Sequence, residues 1–207
     1  TIGIIGTGRI GQIFANICKG FGMKVIGYDL YPNSNLDLEY LPLDDLLSQA
    51  DIISIHCPLS EATKHLINSK TIAEMKDGVI LINTSRGGII ESTALLKALK
   101  SGKIKAAGLD VYEEEANLFF EDMSDTIVTD DVLSLLVSLP NVILTSHQAF
   151  LTEEALANIA QATLENLDQH FEGLPIENEI CYLCQESGSA KCYNSRNKLE
   201  RCFTLTK

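Results

Sequence analysis

Three side chains of complementary chemistry stand at equivalent places along this chain. Arg86, Glu115 and His147 each follow closely on a short run of β-branched and aliphatic residues, at 79–83, 106–111 and 142–145. An arginine offers a planar, permanently charged fork that matches a carboxylate. A histidine gives up or takes a proton near neutral pH, and a glutamate within its reach favours the imidazolium and fixes the ring. Singly, each has an ordinary explanation: an Arg anchoring a carbonyl in a Gly-rich turn, a Glu in an acidic run, a His ending a strand. Jointly they are suited to a small 2-oxo acid, with the Arg on its carboxylate and the His on its carbonyl oxygen, provided that a two-electron donor is held close by.

A second pattern supplies a place for that donor. Gly6-Thr7-Gly8-Arg9-Ile10-Gly11 follows one apolar run and opens a helical one, the context that lifts G-x-G-x-x-G above chance. Gly6 permits a tight turn, Gly8 lets the backbone approach a pyrophosphate, and Gly11 lets helix and strand pack closely. The N–H groups of the helix then face the phosphates. Asp29 ends the next apolar run, 18 residues beyond Gly11, where an acid would hold the adenosine ribose hydroxyls. A 2′-phosphate there would meet a carboxylate, so NAD is expected rather than NADP. Cys57 and Pro58, at the end of a third run, stand beside the expected adenosine pocket.

Positioning these groups requires a parallel sheet. Strands are expected at 1–5, 24–28, 52–56, 79–83, 106–111 and 142–145, and helices at 10–21, 43–49, 68–75 and 92–101. Such alternation is the mark of βαβ units. Six parallel strands make an α/β, doubly wound sheet of Rossmann type, in which all strands end on one edge and the ligand lies there. Arg86, Glu115 and His147 are thereby expected on the same edge as Gly6 and Gly8. A longer helix opens at Thr152, with Glu153 and Glu154 at the positive end of its dipole, and runs to about Phe171.

Composition narrows the class. The chain has 207 residues, 45% hydrophobic, with a formal charge of −12. That acidity argues against nucleic acid as a partner. No apolar run approaches the roughly 18 residues of a membrane span, and a cytoplasmic protein is expected. Because the first strand starts at once from Thr1, which is not Met, the natural chain is expected to begin upstream.

Five segments taken together resemble the D-2-hydroxyacid dehydrogenase family: Gly6 to Gly11, Asp51 to Leu59 (DIISIHCPL), Asn83 to Gly88 (NTSRGG), Gly108 to Glu113 (GLDVYE) and Ser146 to Phe150 (SHQAF). They occur in order across almost all of residues 1–180. Within the family, Leu118 to Asp122 (LFFED) and the HQAF sequence are similar to the fermentative D-lactate dehydrogenase branch, whose substrate is pyruvate. The resemblance implies substrate binding by Arg86 and an acid/base pair of Glu115 and His147. It implies cofactor contacts at Arg9, Ile10, Asp29, Cys57, Pro58, Thr63, Thr84, Ser85 and Asp110, and a homodimer. It also implies an amino-terminal segment, absent from this sequence, that builds most of a substrate domain. The expected organisation is therefore an NAD-binding domain at 1–150, a helix at 151–180 returning to the substrate domain, and a tail at 181–207.

The tail differs from the rest, with five basic and two acidic side chains. Cys181, Cys184, Cys192 and Cys202 include one pair at zinc-site spacing, but no His partner accompanies them, so a disordered extension without metal is expected. The function expected is NADH-dependent reduction of pyruvate to D-lactate. The alternatives are another 2-hydroxy acid, a non-catalytic NAD(H)-sensing module, and an inactive truncated product.

Overall fold

The computed structural model describes residues 1–115, 129–174 and 176. Their centre is a wholly parallel sheet of seven strands: β1 (Ile2–Ile5), β2 (Val25–Tyr28), β3 (Glu39–Tyr40), β4 (Ile52–Ile55), β5 (Val79–Asn83), β6 (Ile104–Leu109) and β7 (Val142–Leu144). Its order is β3-β2-β1-β4-β5-β6-β7. The chain winds outward from β1 to β3, then returns to β4 and winds to β7. Strand order thus reverses between β1 and β4, and at such a switch point the carboxyl ends of the strands part to leave a crevice.

Helices α1 (Arg9–Gly20), α2 (Leu43–Gln49), α3 (Ser69–Glu74), α4 (Ser92–Ser101) and α5 (Asp131–Ser138) accompany the sheet, and a 3₁₀ turn spans Gly87–Ile89. Near-continuous apolar strands are what a parallel sheet covered on both faces demands. Ile2, Ile4 and Ile5 of β1, Ile26 of β2, Ile53 and Ile55 of β4 and Leu81 of β5 are all buried. Against them α2 places Leu46 and Leu47, fully enclosed. Gly3 makes room for Leu46, since a Cβ on Gly3 would come within 2.5 Å of Leu46 Cδ2. Helix α4 buries Leu95, Leu96 and Leu99 and ends on Gly102 in the left-handed conformation. Each such side chain contributes about 1.5–3 kcal/mol by burial, and Leu95→Ala would cost about 2–5 kcal/mol.

Three features correct the sequence reading. The sheet has seven strands rather than six, because the two-residue β3 pairs with Ile26 and Gly27; two residues are too few to show a period. Helix α5 was not expected, although Asp130 caps it by accepting the Leu133 N–H at 2.9 Å and Leu133 and Leu136 are buried. Its apolar residues are nearly continuous, and such a run reads equally well as strand or helix. Strand β6 begins at Ile104, directly after the Gly102 turn, and ends at Leu109 rather than 111.

Two compact units divide the chain, Thr1–Ala149 with the sheet and Phe150–Lys207. In the second, the helix expected from Thr152 forms as α6 (Glu153–Phe171), with the Thr152 side chain accepting the Ala155 N–H at 3.2 Å. The LFFED segment at 118–122 and the cysteine tail at 181–207 lie outside the described residues. Among the described residues no helix is long and apolar enough to cross a membrane.

Candidate active site

Gly6 and Gly11 are fixed by contact with neighbouring backbone. Gly6 has φ +92°, and a Cβ there would fall 2.4 Å from Cys57 N, at the carboxyl end of β4. On Gly11 a Cβ would lie 2.1 Å from Gly6 O, so this glycine lets α1 lie against the first turn. Gly8 differs, because a Cβ there meets nothing within 4 Å. It is the N-cap of α1 and supplies no capping side chain, whereas Asn68, Asp130 and Thr152 cap their own helices. The N–H groups of the first turn of α1 are left for a ligand.

A cleft of about 410 Å³ opens at the switch point, lined by Gly6 and Gly8, by Tyr28 and Asp29 from the end of β2, and by Cys57, Pro58 and Thr63 beyond β4. Asp29 is held rigidly. Its Oδ2 accepts the Thr7 N–H at 2.7 Å and the Thr7 hydroxyl at 3.1 Å, and its Oδ1 accepts the Tyr31 N–H at 2.9 Å. Oδ1, with one donor, keeps acceptor capacity for a ribose hydroxyl. Thr63 is buried and organises the rim, donating to Pro58 O at 2.6 Å and accepting the Ser60 N–H at 2.8 Å. Burial pushes the Cys57 thiol up to about 11, against its own backbone N–H and with the help of Asp29. His56, on the cleft wall, pairs through Nε2 with Ser54 Oγ at 2.9 Å, and burial lowers its pKa. Open glycine, uncapped helix end and fixed carboxylate together fit a dinucleotide.

Arg9 and Ile10 are exposed in the first turn of α1, and Thr84 is exposed after β5. Ser85 ties that turn to the cleft through its hydroxyl, which donates to Cys57 O. Arg86 is exposed, and its Nη1 donates to Ser85 O at 2.7 Å. Asn83, at the end of β5, shapes the turn by accepting the Ser85 N–H at 3.0 Å and donating to Arg86 O at 2.9 Å. Gly87 lets this turn lie on the next one, since a Cβ would fall 1.9 Å from Tyr112 O.

Glu115 and His147 meet, with His147 Nδ1 3.1 Å from Glu115 Oε1. The other carboxylate oxygen of Glu115 accepts the Tyr112 N–H at 3.1 Å, so the side chain closes its own turn. His147 has a left-handed backbone, φ +54°, uncommon for a residue with a Cβ. Asp110 imposes it. The Asp110 carbonyl accepts the His147 N–H at 2.7 Å, while its buried carboxylate accepts Thr145 Oγ1 at 2.5 Å and the N–H groups of Gln148 and Ala149 at 2.9 Å each. Burial alone would raise the Asp110 pKa; these donors and His147 outweigh it and hold the carboxyl below the usual range. The Asp110 carboxylate is thus engaged by the 145–149 loop.

Sequence reasoning passed over Thr7, which is buried and whose hydroxyl lies 2.8 Å from Tyr40 Oη besides reaching Asp29. It also passed over His65 and Glu113, paired at 2.5 Å from Nε2 to Oε1. A hydroxyl residue inside the glycine motif was the one available signal for the first. The second pair, 48 residues apart, left none.

Comparison with known proteins gives the family. The D-lactate dehydrogenase of Escherichia coli (strain K12) is 48% identical over 183 residues, covering 87% of this chain and 56% of that protein. A D-lactate dehydrogenase from Treponema pallidum superposes with a TM-score of 0.82 at 46% identity, over 87% of this chain and 55% of that one. The D-lactate dehydrogenase of Lactobacillus jensenii, solved with NAD+, gives 0.79 at 37% identity over the same shares. The chain spans about half the length of the curated relatives it matches. The family described as "D-isomer specific 2-hydroxyacid dehydrogenase, NAD binding domain" matches residues 1–149. With its glycine turn, uncapped helix and strand-end cleft in place, the chain belongs to the D-isomer-specific 2-hydroxyacid dehydrogenases and contributes their NAD-binding domain.

Proposed function

We propose that the protein carrying this chain reduces pyruvate to D-lactate, reversibly and with NADH, using Arg86, Glu115 and His147. The observation that carries it is the 3.1 Å pairing of His147 Nδ1 with Glu115, in the same unit as the cofactor cleft and beyond the carboxyl ends of its strands. Nδ1 is committed to the carboxylate, so Nε2 exchanges the proton with the substrate oxygen. In reduction, imidazolium Nε2 protonates the oxygen on C2; in oxidation the neutral ring takes that proton back. Glu115 steadies the charged ring and fixes its plane. Arg86 binds the substrate carboxylate through its fork and so orients C2. NADH, when bound, supplies the hydride.

The candidate cofactor contacts are Gly6, Gly8, Arg9, Ile10, Gly11, Asp29, Cys57, Pro58, Thr63, Thr84, Ser85 and Asp110. Similarity to D-lactate dehydrogenases at about half identity supports pyruvate. A fermentative, cytoplasmic homodimer completes the proposal, with 151–180 joining a substrate domain.

The test is the full-length protein, assayed with NADH against pyruvate and larger 2-oxo acids. Pyruvate should give the highest kcat/KM, and Glu115→Gln should move the midpoint of the pH–rate profile down, since a neutral amide no longer favours the imidazolium. A preference for a bulkier acid would replace the substrate. An unmoved midpoint would remove Glu115 from the pair.

A further inference from the structure

Glu113 stands two residues before Glu115 and shares its turn. Its carboxylate spans two other elements. Oε1 lies 2.5 Å from His65 Nε2, and Oε2 accepts the N–H of Ser92, the first residue of α4, at 3.1 Å. Burial alone would raise the Glu113 pKa; the Ser92 N–H and His65 outweigh it, and the carboxyl is held low.

His65 is built for this contact. Its backbone is left-handed, φ +50°, a conformation that a residue with a side chain keeps only where its surroundings impose it. Here they do: its N–H donates to Gly88 O at 2.9 Å, and its carbonyl accepts Asn68 Nδ2 at 2.8 Å. His65 follows the rim that lines the cofactor cleft at Pro58, Ser60, Ala62 and Thr63. One carboxylate therefore links the cleft wall to the turn that carries Glu115. The turn is closed from its other end by Glu115 Oε2 on the Tyr112 N–H.

Resting on the reading of Glu115 and His147 above, we propose that His65 and Glu113 are positioning residues that fasten the 112–115 turn to the cofactor-cleft rim and so hold Glu115 against His147. Neither touches the reacting atoms. Their effect passes through the placement of one carboxylate oxygen, and a misplacement of about 1 Å remote from the chemistry can cost up to about a hundredfold in rate.

The deciding variant is His65→Asn, because asparagine tolerates the left-handed backbone but is too short to reach Glu113. It preserves the local fold and removes only the ring contact. The readout is the titration of the His147 imidazole, followed by NMR in the cofactor-free full-length protein, with Glu115→Gln as the benchmark. Positioning and bare electrostatics predict opposite signs. Were the His65 ring protonated, its loss would, through space alone, move the His147 titration up; releasing Glu115 from the ring moves it down. We expect His65→Asn to move the midpoint down by about half of the Glu115→Gln shift, and kcat to fall about tenfold or more with little change in the KM for the 2-oxo acid. Glu113→Gln should behave likewise, and Glu113→Gln with Glu115→Gln should titrate as Glu115→Gln alone. An unmoved or raised midpoint in His65→Asn, beside a lowered one in Glu115→Gln, overturns the proposal and leaves the catalytic reading standing. No shift in Glu115→Gln overturns both.

Discussion

Gly8 and Gly11 offer a way to separate a glycine kept for the fold from one kept for the ligand. At Gly11 an added Cβ would sit 2.1 Å from Gly6 O, a backbone atom that cannot turn aside. Helix α1 would have to lift from the first turn, and overpacking of that kind costs about 1–3 kcal/mol or more. In a protein of this size the loss lowers the thermal midpoint by about 2–12 °C. At Gly8 the same atom meets nothing within 4 Å, and the backbone, φ −65° and ψ −167°, is open to any residue. Replacing glycine by alanine at an N-cap costs about 0.5–1 kcal/mol, while the stiffer unfolded chain returns about 0.4–1 kcal/mol. The two nearly cancel, so Gly8→Ala should stay within about 2 °C of wild type. Binding should divide the other way. The new methyl would occupy the approach of the pyrophosphate to the first turn of α1, and each charge-assisted hydrogen bond lost is worth about 1.5–3 kcal/mol, or 10- to 100-fold in affinity. Thermal denaturation and nicotinamide-fluorescence titration of both variants measure the two effects. Equal destabilisation by the two substitutions, or unchanged NADH affinity in Gly8→Ala, would refute the reasoning.

Asp29→Ser should weaken NADH binding and narrow its advantage over NADPH, because it takes away the carboxylate that would repel a 2′-phosphate; competitive titration with both cofactors checks this. Asp110 has a depressed pKa in the folded state, so its contribution to stability is complete above the unfolded value and is lost as the pH falls through the folded one. The stability advantage of wild type over Asp110→Asn, measured by urea denaturation, should accordingly shrink as the pH is lowered from about 5. With its thiol pushed up to about 11, Cys57 in the native chain should react with iodoacetamide at pH 8 at least about a hundredfold more slowly than in the unfolded chain, read from peptide masses. For the 207-residue chain alone, which spans about half the length of the relatives it matches and leaves Arg86 exposed, NADH binding is expected without appreciable pyruvate turnover; NADH consumption with saturating pyruvate checks this.

What the sequence made legible follows from period and edge. Apolar runs alternating with helical ones established the parallel sheet, and the sheet by itself carries Arg86, Glu115 and His147 to the end where Gly6 and Gly8 turn. Short elements held by tertiary contact escaped: β3 is two residues fastened to β2, with the Tyr40 hydroxyl on Thr7. Asp110 shows a deeper limit. Beside the cofactor contact that the resemblance implies, its carboxylate gathers donors from residues 145, 148 and 149, 35 to 39 positions away. Local propensity carries no trace of such a convergence, because the donors come together only after β6 and β7 have paired.

The two residues with a side chain and positive φ among those described are both histidines, His65 and His147. Each donates its N–H to a distant backbone carbonyl, Gly88 O for one and Asp110 O for the other. Each ring then meets a carboxylate of the same four-residue turn, Glu113 or Glu115. Strained backbone of this kind persists only where its surroundings over-determine it, and here both sets of surroundings include that turn. Gly87 presses on it at Tyr112 O, so the turn bearing Arg86 is in register with it as well. The cofactor-cleft rim, Arg86 and His147 thus share one support lying outside the regular strands and helices. Long loops usually trade precision for freedom, but a turn fixed from three sides keeps both carboxylates in place, and a change at any one contact should be felt at the other two.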